Sequence, residues 1–190
     1  MAFDDIAHRY SIGDREVPSV TQLVVDDCAF WTEEARARGK AIHRFSQRVD
    51  LGERVDLYDL PVSWRGYGRA LFDCYETLRP RWTEVEVARI NEDLGYGGRR
   101  DRVGVVFACV CVVDLKTGDP DTWHAAQLAG YDLLDRFVTR VKRRRFAFYL
   151  AESGAFKVRE YHDGQAEFLR RLSDYKRTGR RVTVESTEEL

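Results

Sequence analysis

"FACVCVVDLKTG", Phe107 to Gly118, decides how the chain is read. Its first part is an almost unbroken apolar run rich in β-branched residues, the pattern of a strand covered on both faces in the middle of a sheet. The end differs: Asp114 and Lys116 stand two apart, and Thr117 and Gly118 follow. Side chains alternate along a strand, so Asp114 and Lys116 point one way and Leu115 the other, with the two Cα atoms ~6.6 Å apart. A carboxylate and an ammonium so placed can reach one small ligand. The carboxylate suits a hard divalent cation. The ammonium can hold a water or stabilise developing negative charge. Alone, the same pair reads equally as an ion pair at a strand end.

The preceding residues add to it. "EVEVARI", from Glu84, alternates like a strand, "NEDLGYGG" carries a turn, and "GRRDRVGV" is a second strand. A reversal near Phe107-Ala108 would lay that strand antiparallel to the apolar one and bring Asp101 beside Asp114. Neighbouring carboxylates repel unless a cation sits between them. Glu86 lies one strand further out, where Glu84 and Arg89 leave a plain surface role open. Downstream, Trp123, Gln127 and Tyr131 recur at helical spacing, either as half-buried packing or as a stripe that steadies a lysine.

Around this centre the pattern predicts a mixed α/β fold, with a central mixed sheet flanked by helices. "HRYSIGDREVPSV" reads as a hairpin turning at Gly13-Asp14. Ser19 and Thr21 cap a short helix running to Val25. Thr32 opens a helix with apolar Ala35, Ile42, Phe45 and Val49, in which Gly39 permits a close approach. Another helix spans about 65–78 and ends before Pro80. A third runs over about 121–138. "RRFAFYLA" and "AFKVREY" pair around Ser153-Gly154, and "DGQAEFLRRLSDYKRT" closes the fold as a helix.

The chain has 190 residues, 44% hydrophobic, enough for a single domain over 1–190 with a frayed tail from about 180. Lys plus Arg number 31 against 32 acids, so net charge selects no partner. The local run Arg136, Arg140, Lys142, Arg143, Arg144 and Arg145 holds no acid, and reads as a solvated face or a contact for an anion. Cys28, Cys74, Cys109 and Cys111 form no C-x-x-C pair and read as buried thiols of a cytoplasmic protein. There is no signal-peptide pattern and no run long enough to span a bilayer, so no membrane partner is expected.

Five motifs occur in order: "YSIGDREVPSVTQLV", "GKAIH" (Gly39 to His43), "EVARINEDLGYGGRRD" (Glu86 to Asp101), "VVDLKTG", and "QLAGY" (Gln127 to Tyr131). Together, over about residues 8 to 175, they resemble the PD-(D/E)XK nuclease superfamily. Within it they are similar to the RecB-like branch, which holds phage-type exonucleases and the CRISPR adaptation nucleases. The resemblance implies a restriction-endonuclease-like core. It implies Mg²⁺ or Mn²⁺ held by His43, Asp101, Asp114 and the Leu115 carbonyl, with Glu86 supporting that metal or a second one. Lys116 would orient or deprotonate the attacking water, and Gln127 and Tyr131 would position Lys116 and the DNA backbone.

The implied activity is metal-dependent hydrolysis of DNA phosphodiester bonds, as an exonuclease in phage or bacterial recombination or repair. Its partners would be DNA and a recombination or other phage or host protein. Arg99 and Arg100 stand where the family has apolar residues, and with Arg143 and Arg144 they are expected to touch DNA. No cysteine follows Cys111, so no iron–sulfur cluster is expected. Two other functions remain open: a DNA-binding or assembly module that keeps the fold with weak or no activity, and a structural metal-binding protein.

Overall fold

The apolar run becomes the third strand of five. In the computed structural model, which describes residues 2–4, 9–25, 32–135 and 142–179, the order is β4-β5-β6-β7-β8. Here β4 is Arg81–Asn91, β5 Tyr96–Val106, β6 Cys109–Lys116, β7 Arg144–Leu150 and β8 Phe156–Glu160. Both edges of β6 are paired, antiparallel to β5 and parallel to β7, and both faces are covered, which is why its sequence is almost uniformly apolar. The parallel step needs a crossover, and α4, Trp123–Leu133, supplies it. A small antiparallel sheet precedes this core: β1 (Ala2–Asp4), β2 (Arg9–Ile12) and β3 (Arg15–Val17).

Helices cover both faces. On one lie α1 (Val20–Val24), α4 and α5 (Gln165–Thr178), with Val24, Leu128, Tyr131 and Phe168 packed on Tyr96, Val112 and Ala147. On the other lie α2 (Glu33–Asp50) and α3 (Arg65–Leu78), with Ile42, Phe45, Leu71 and Cys74 packed on Cys111, Val113, Leu115 and Phe148. Local chemistry sets the helix starts. Ser19 and Gln22 form a capping box on α1, and the Thr32 hydroxyl accepts from Ala35 N at 3.1 Å on α2.

The hairpin between β5 and β6 turns at Phe107-Ala108 with φ of 52° and 58°. Asn-Gly is the usual choice for such a pair, so the turn carries strain of about 1–2 kcal/mol per residue. Packing helps to hold it: the Phe107 ring meets Phe146 edge-on, centroids 5.7 Å apart.

Three expectations change. The crossover helix, expected to reach about 138, ends at Leu133, with Asp132 in its last turn and Asp135 just past it both bound to Arg143 ahead of β7, and residues 136–138 lie outside the described residues. Cys109 is half-buried rather than buried, whereas burial pushes the Cys74 and Cys111 thiols up to about 12. Gly39 permits no unusually close approach, since a Cβ there would meet Thr117 Oγ1 at an ordinary 3.9 Å. Cys28, Arg136, Arg140 and the tail from 180 lie outside the described residues. Among the described residues no helix is long and apolar enough to cross a membrane.

Gly66, in the first turn of α3, is a test of this packing. A Cβ there would fall 1.7 Å from the Glu152 carbonyl oxygen, in the turn between β7 and β8. Helix propensity favours Ala over Gly by about 1 kcal/mol. Moving two backbones apart costs more, so Gly66→Ala should destabilise by about 1–3 kcal/mol. Urea denaturation decides the sign; a variant as stable as the parent would show that α3 and the β7–β8 turn do not touch here.

Candidate metal and catalytic site

The site forms where the C-terminal end of β6 meets α2 and α4. The β5–β6 register pairs Arg102 with Val113, so the next rung sets Asp101 across from Asp114. Asp101 Oδ2 accepts from Leu115 N at 2.7 Å, which fixes its carboxylate against the strand. From α2, His43 Nε2 lies 3.1 Å from the Leu115 carbonyl oxygen, and Nδ1 lies 3.5 Å from both Glu86 Oε1 and Asp101 Oδ2. Arg38, one turn earlier, donates to the Thr117 carbonyl at 3.1 Å and pins the helix to the strand end.

Glu86 reaches the site through an irregular backbone. Strand alternation would put Glu84 and Glu86 on one face, and Arg100 and Arg102 on one face. Neither pair obeys. Glu84 binds Arg89 and Arg100, and Arg100 also meets Asp135 beyond α4, whereas Glu86 meets His43 and Arg102, and Arg102 meets Asp50 on α2. The flip falls at the rung where Glu86 faces Asp101, between the pairs Val85–Arg102 and Val87–Arg100. Glu86 has φ 52°, a left-handed conformation that costs about 1–3 kcal/mol in a residue with a side chain. Strain at one rung therefore turns two acidic side chains toward one histidine.

Donor atoms of His43, Glu86 and Asp101 all lie within 4.8 Å of one another. One imidazole and two carboxylates suit a hard or borderline divalent cation. Asp114 is expected in this set, yet it stands outside the trio, because its carboxylate turns to Lys116, whose Nζ is 2.5 Å from Oδ2. That same Oδ2 is buried and lacks a well-aligned hydrogen bond, so the donor set has an acidic oxygen in reserve beside it. The residues fit a divalent metal.

Lys116 is held from three sides. Besides Asp114, its ammonium donates to Gln127 Oε1 at 2.6 Å and sits 4.6 Å from the centroid of the Trp123 ring. Gln127 Nε2 in turn donates to the Tyr131 hydroxyl at 3.2 Å, so successive turns of α4 brace the lysine. His124, not anticipated from sequence, is buried beside this group, with Nδ1 2.8 Å from the Tyr149 hydroxyl. Burial, aided by the Lys116 charge, pushes the His124 imidazole down to about 4.

The carboxylates dominate the electrostatics. Burial alone would lower His43, but Asp101, Glu86 and Asp114 outweigh it and raise the imidazole to about 9. Burial raises the Asp114 carboxyl to about 6, with Asp101 adding to the shift and Lys116 opposing it. The pocket thus carries more negative charge than its own cations balance comfortably.

The expected DNA-contacting arginines do not gather here. Arg100 and Arg143 are buried in ion pairs, Arg100 with Glu84 and Asp135, and Arg143 with Asp132 and Asp135. Their charges are spent inside the fold. Arg144 binds Glu160 and pairs with Cys111, five rungs from Lys116 and so roughly 16 Å along the sheet. Arg99 is half-buried on β5. Besides His124, sequence reasoning missed Arg102, fully buried beside Glu86. Its only signal was its place in a strand whose neighbours are headed for the interior.

No family model matches the chain, and no curated protein matches it in sequence. Two solved structures follow a similar course. One is the crystal structure of SSO0001, 16% identical, with a TM-score of 0.37, covering 85% of this chain and 84% of that one. The other is an alkaline exonuclease (LHK-Exo) from Laribacter hongkongensis, 14% identical, with a TM-score of 0.41 and 83% of each chain covered. Likeness at this level transfers no function, so the site must be judged on its own residues.

Proposed function

We propose that this chain is a divalent-metal-dependent deoxyribonuclease, with Mg²⁺ or Mn²⁺ as its cofactor, working from DNA ends in recombination or repair. The observation that carries the reading is the junction of two half-sites at one strand end: the His43, Glu86 and Asp101 donors, and the Asp114–Lys116 pair braced by Gln127. A structural metal site needs the first and has no use for the second.

Each residue has a task in phosphodiester hydrolysis. His43, Glu86 and Asp101 would hold the cation, and Asp114 would complete the set by turning its buried oxygen from Lys116. The bound cation supplies charge against the scissile phosphate and lowers the pKa of bound water. Lys116 donates to the attacking water or to a phosphate oxygen, where negative charge accumulates as the new P–O bond forms and the old one breaks. Gln127 and Tyr131 keep the ammonium aimed there. The water oxygen would bond to phosphorus and give up a proton as the P–O bond to deoxyribose breaks, and the leaving deoxyribose oxygen would take up a proton, so that charge and protons balance.

Ends are expected to matter, since "YSIGDREVPSVTQLV" resembles the opening of phage-encoded exonucleases. With Mg²⁺ or Mn²⁺, end-labelled linear DNA should be degraded and covalently closed circles spared, with both intact in chelator. Equal cutting of circles and linear DNA would refute the exonuclease assignment. Metal and DNA binding without any cleavage would make the chain a binding module on a nuclease scaffold.

A further inference from the structure

Arg102 has no exposed surface, and its contacts are not those of an ordinary core ion pair. Nε meets Asp50 Oδ2 at 2.5 Å, and Nη1 meets Glu86 Oε1 at 3.0 Å. Nη1 also donates to the Asp101 carbonyl at 2.6 Å, and Nη2 donates to Ser46 Oγ at 2.7 Å. Ser46 passes the contact on, because its hydroxyl donates to the His43 carbonyl at 2.9 Å. One guanidinium therefore touches two members of the donor trio directly and the third through a single hydroxyl. Its anchor is itself fixed, with the Tyr75 hydroxyl donating to Asp50 Oδ2 at 3.1 Å.

The arrangement solves a physical problem. Glu86 and Asp101 face each other on a strained rung, and their repulsion would push the rung open. A planar fork with five donors can grip both residues and the helix opposite at once, which a point charge cannot. We propose that Arg102 is a positioning residue that preassembles the metal site, holding Glu86, Asp101 and, through Ser46, His43 in place before a cation arrives. This inference rests on the metal-dependent reading above. It adds that the affinity of the site for metal is set from α2 and β5 by a residue that never touches the ion.

Calorimetric Mn²⁺ titration of the full chain, without DNA, tests it. Arg102→Lys keeps the charge and loses the fork, so it separates geometry from electrostatics. Supporting partners of metal ligands are generally worth 10–100-fold in affinity, and a loss of about that size is expected. Ser46→Ala removes only the link to His43, at a helical position that accepts Ala, and should weaken binding by about several-fold with the fold intact. In a Glu86→Gln background the effect of Arg102→Lys should shrink to at most about a few-fold, because residues acting through one another are not additive.

Parental affinity in folded Ser46→Ala and Arg102→Lys, or the same loss in both backgrounds, would overturn the inference and leave the metal reading standing. Failure of the parent chain to bind Mn²⁺ would overturn both.

Discussion

Single-turnover cleavage by Lys116→Ala is expected to fall by about 10²–10³, while Mn²⁺ affinity holds or rises. The two halves of that result come from one geometry. Lys116 shares a strand face with Asp114 but is positively charged, so it cannot ligate a cation. Its ammonium lies 2.5 Å from Asp114 Oδ2 and competes for that oxygen. Deleting it frees the oxygen for metal and removes a repelling charge. What is lost is a donor that acts on charge present mainly in the transition state, and such a loss appears in turnover rather than in ground-state binding. Gln127→Ala should act in the same sense but more mildly, because Gln127 reaches the reaction only through Lys116. Rapid-quench cleavage at saturating Mn²⁺, paired with calorimetry, reads both quantities. A variant that loses metal but keeps its rate once metal is forced in would make Lys116 a structural counterion.

Asp114→Asn should lose cleavage at least as completely, on the order of 10³ or more, because one atom serves two functions. The change removes a negative oxygen from the metal site and leaves Lys116 without its ionic partner, at almost constant volume. Stability should move the other way. Asp114 titrates at about 6 in the fold against 3.8 in the open chain, chiefly through burial. A folded value above the unfolded one means that the native state holds the proton more tightly. The contribution of this group is therefore most favourable in acid, and is lost as pH climbs through that window. Asn cannot ionise and escapes the penalty. In chelator, the variant should gain on the parent between about pH 4 and about pH 7, as urea midpoints would show. Parental turnover by the metal-saturated variant would remove Asp114 from the site.

Much of this was legible in the sequence, and the reasons are specific. The central strand could be read because burial on both faces demands an apolar run, and its polar end stands out against that run. Asp101 could be set beside Asp114 from the length of one hairpin, although the turn at Phe107-Ala108 lacks the usual residues. Helix α3 was readable because Pro80 ends its amphipathic pattern. The limits of α4 were not, since nothing local separates Asp132, which lies in the helix, from Asp135, which lies past it, and both bind Arg143 just ahead of β7.

What the sequence left undivided has one cause. Period-two reasoning treats Glu84 and Glu86 as equivalent, and likewise Arg100 and Arg102. The left-handed residue at Glu86 breaks that equivalence, and no local pattern announces it. Once the phase flips, one glutamate joins the site and the other binds a buried arginine. One arginine of the "RRDR" run is consumed structurally, and another holds the site together. Within the basic cluster, Arg143 and Arg144 meet acidic partners that lie outside the run, at Asp132, Asp135 and Glu160, which the run itself does not reveal.

The site is also assembled over very unequal distances along the chain. The Lys116–Gln127 contact closes 11 residues, whereas the contact of His43 with the Leu115 carbonyl closes 72. Loop-closure entropy grows with the logarithm of length, so the histidine contact costs about 1.7 kcal/mol more to form than the lysine one. The carboxylates and the lysine ride on neighbouring strands and their crossover helix, and they stay together as long as that sheet does. His43 arrives on a helix from far upstream and is the first member lost when α2 loosens. The histidine therefore reports whether the two halves of the molecule are joined, and a cation that needs it would bind only to the fully assembled fold.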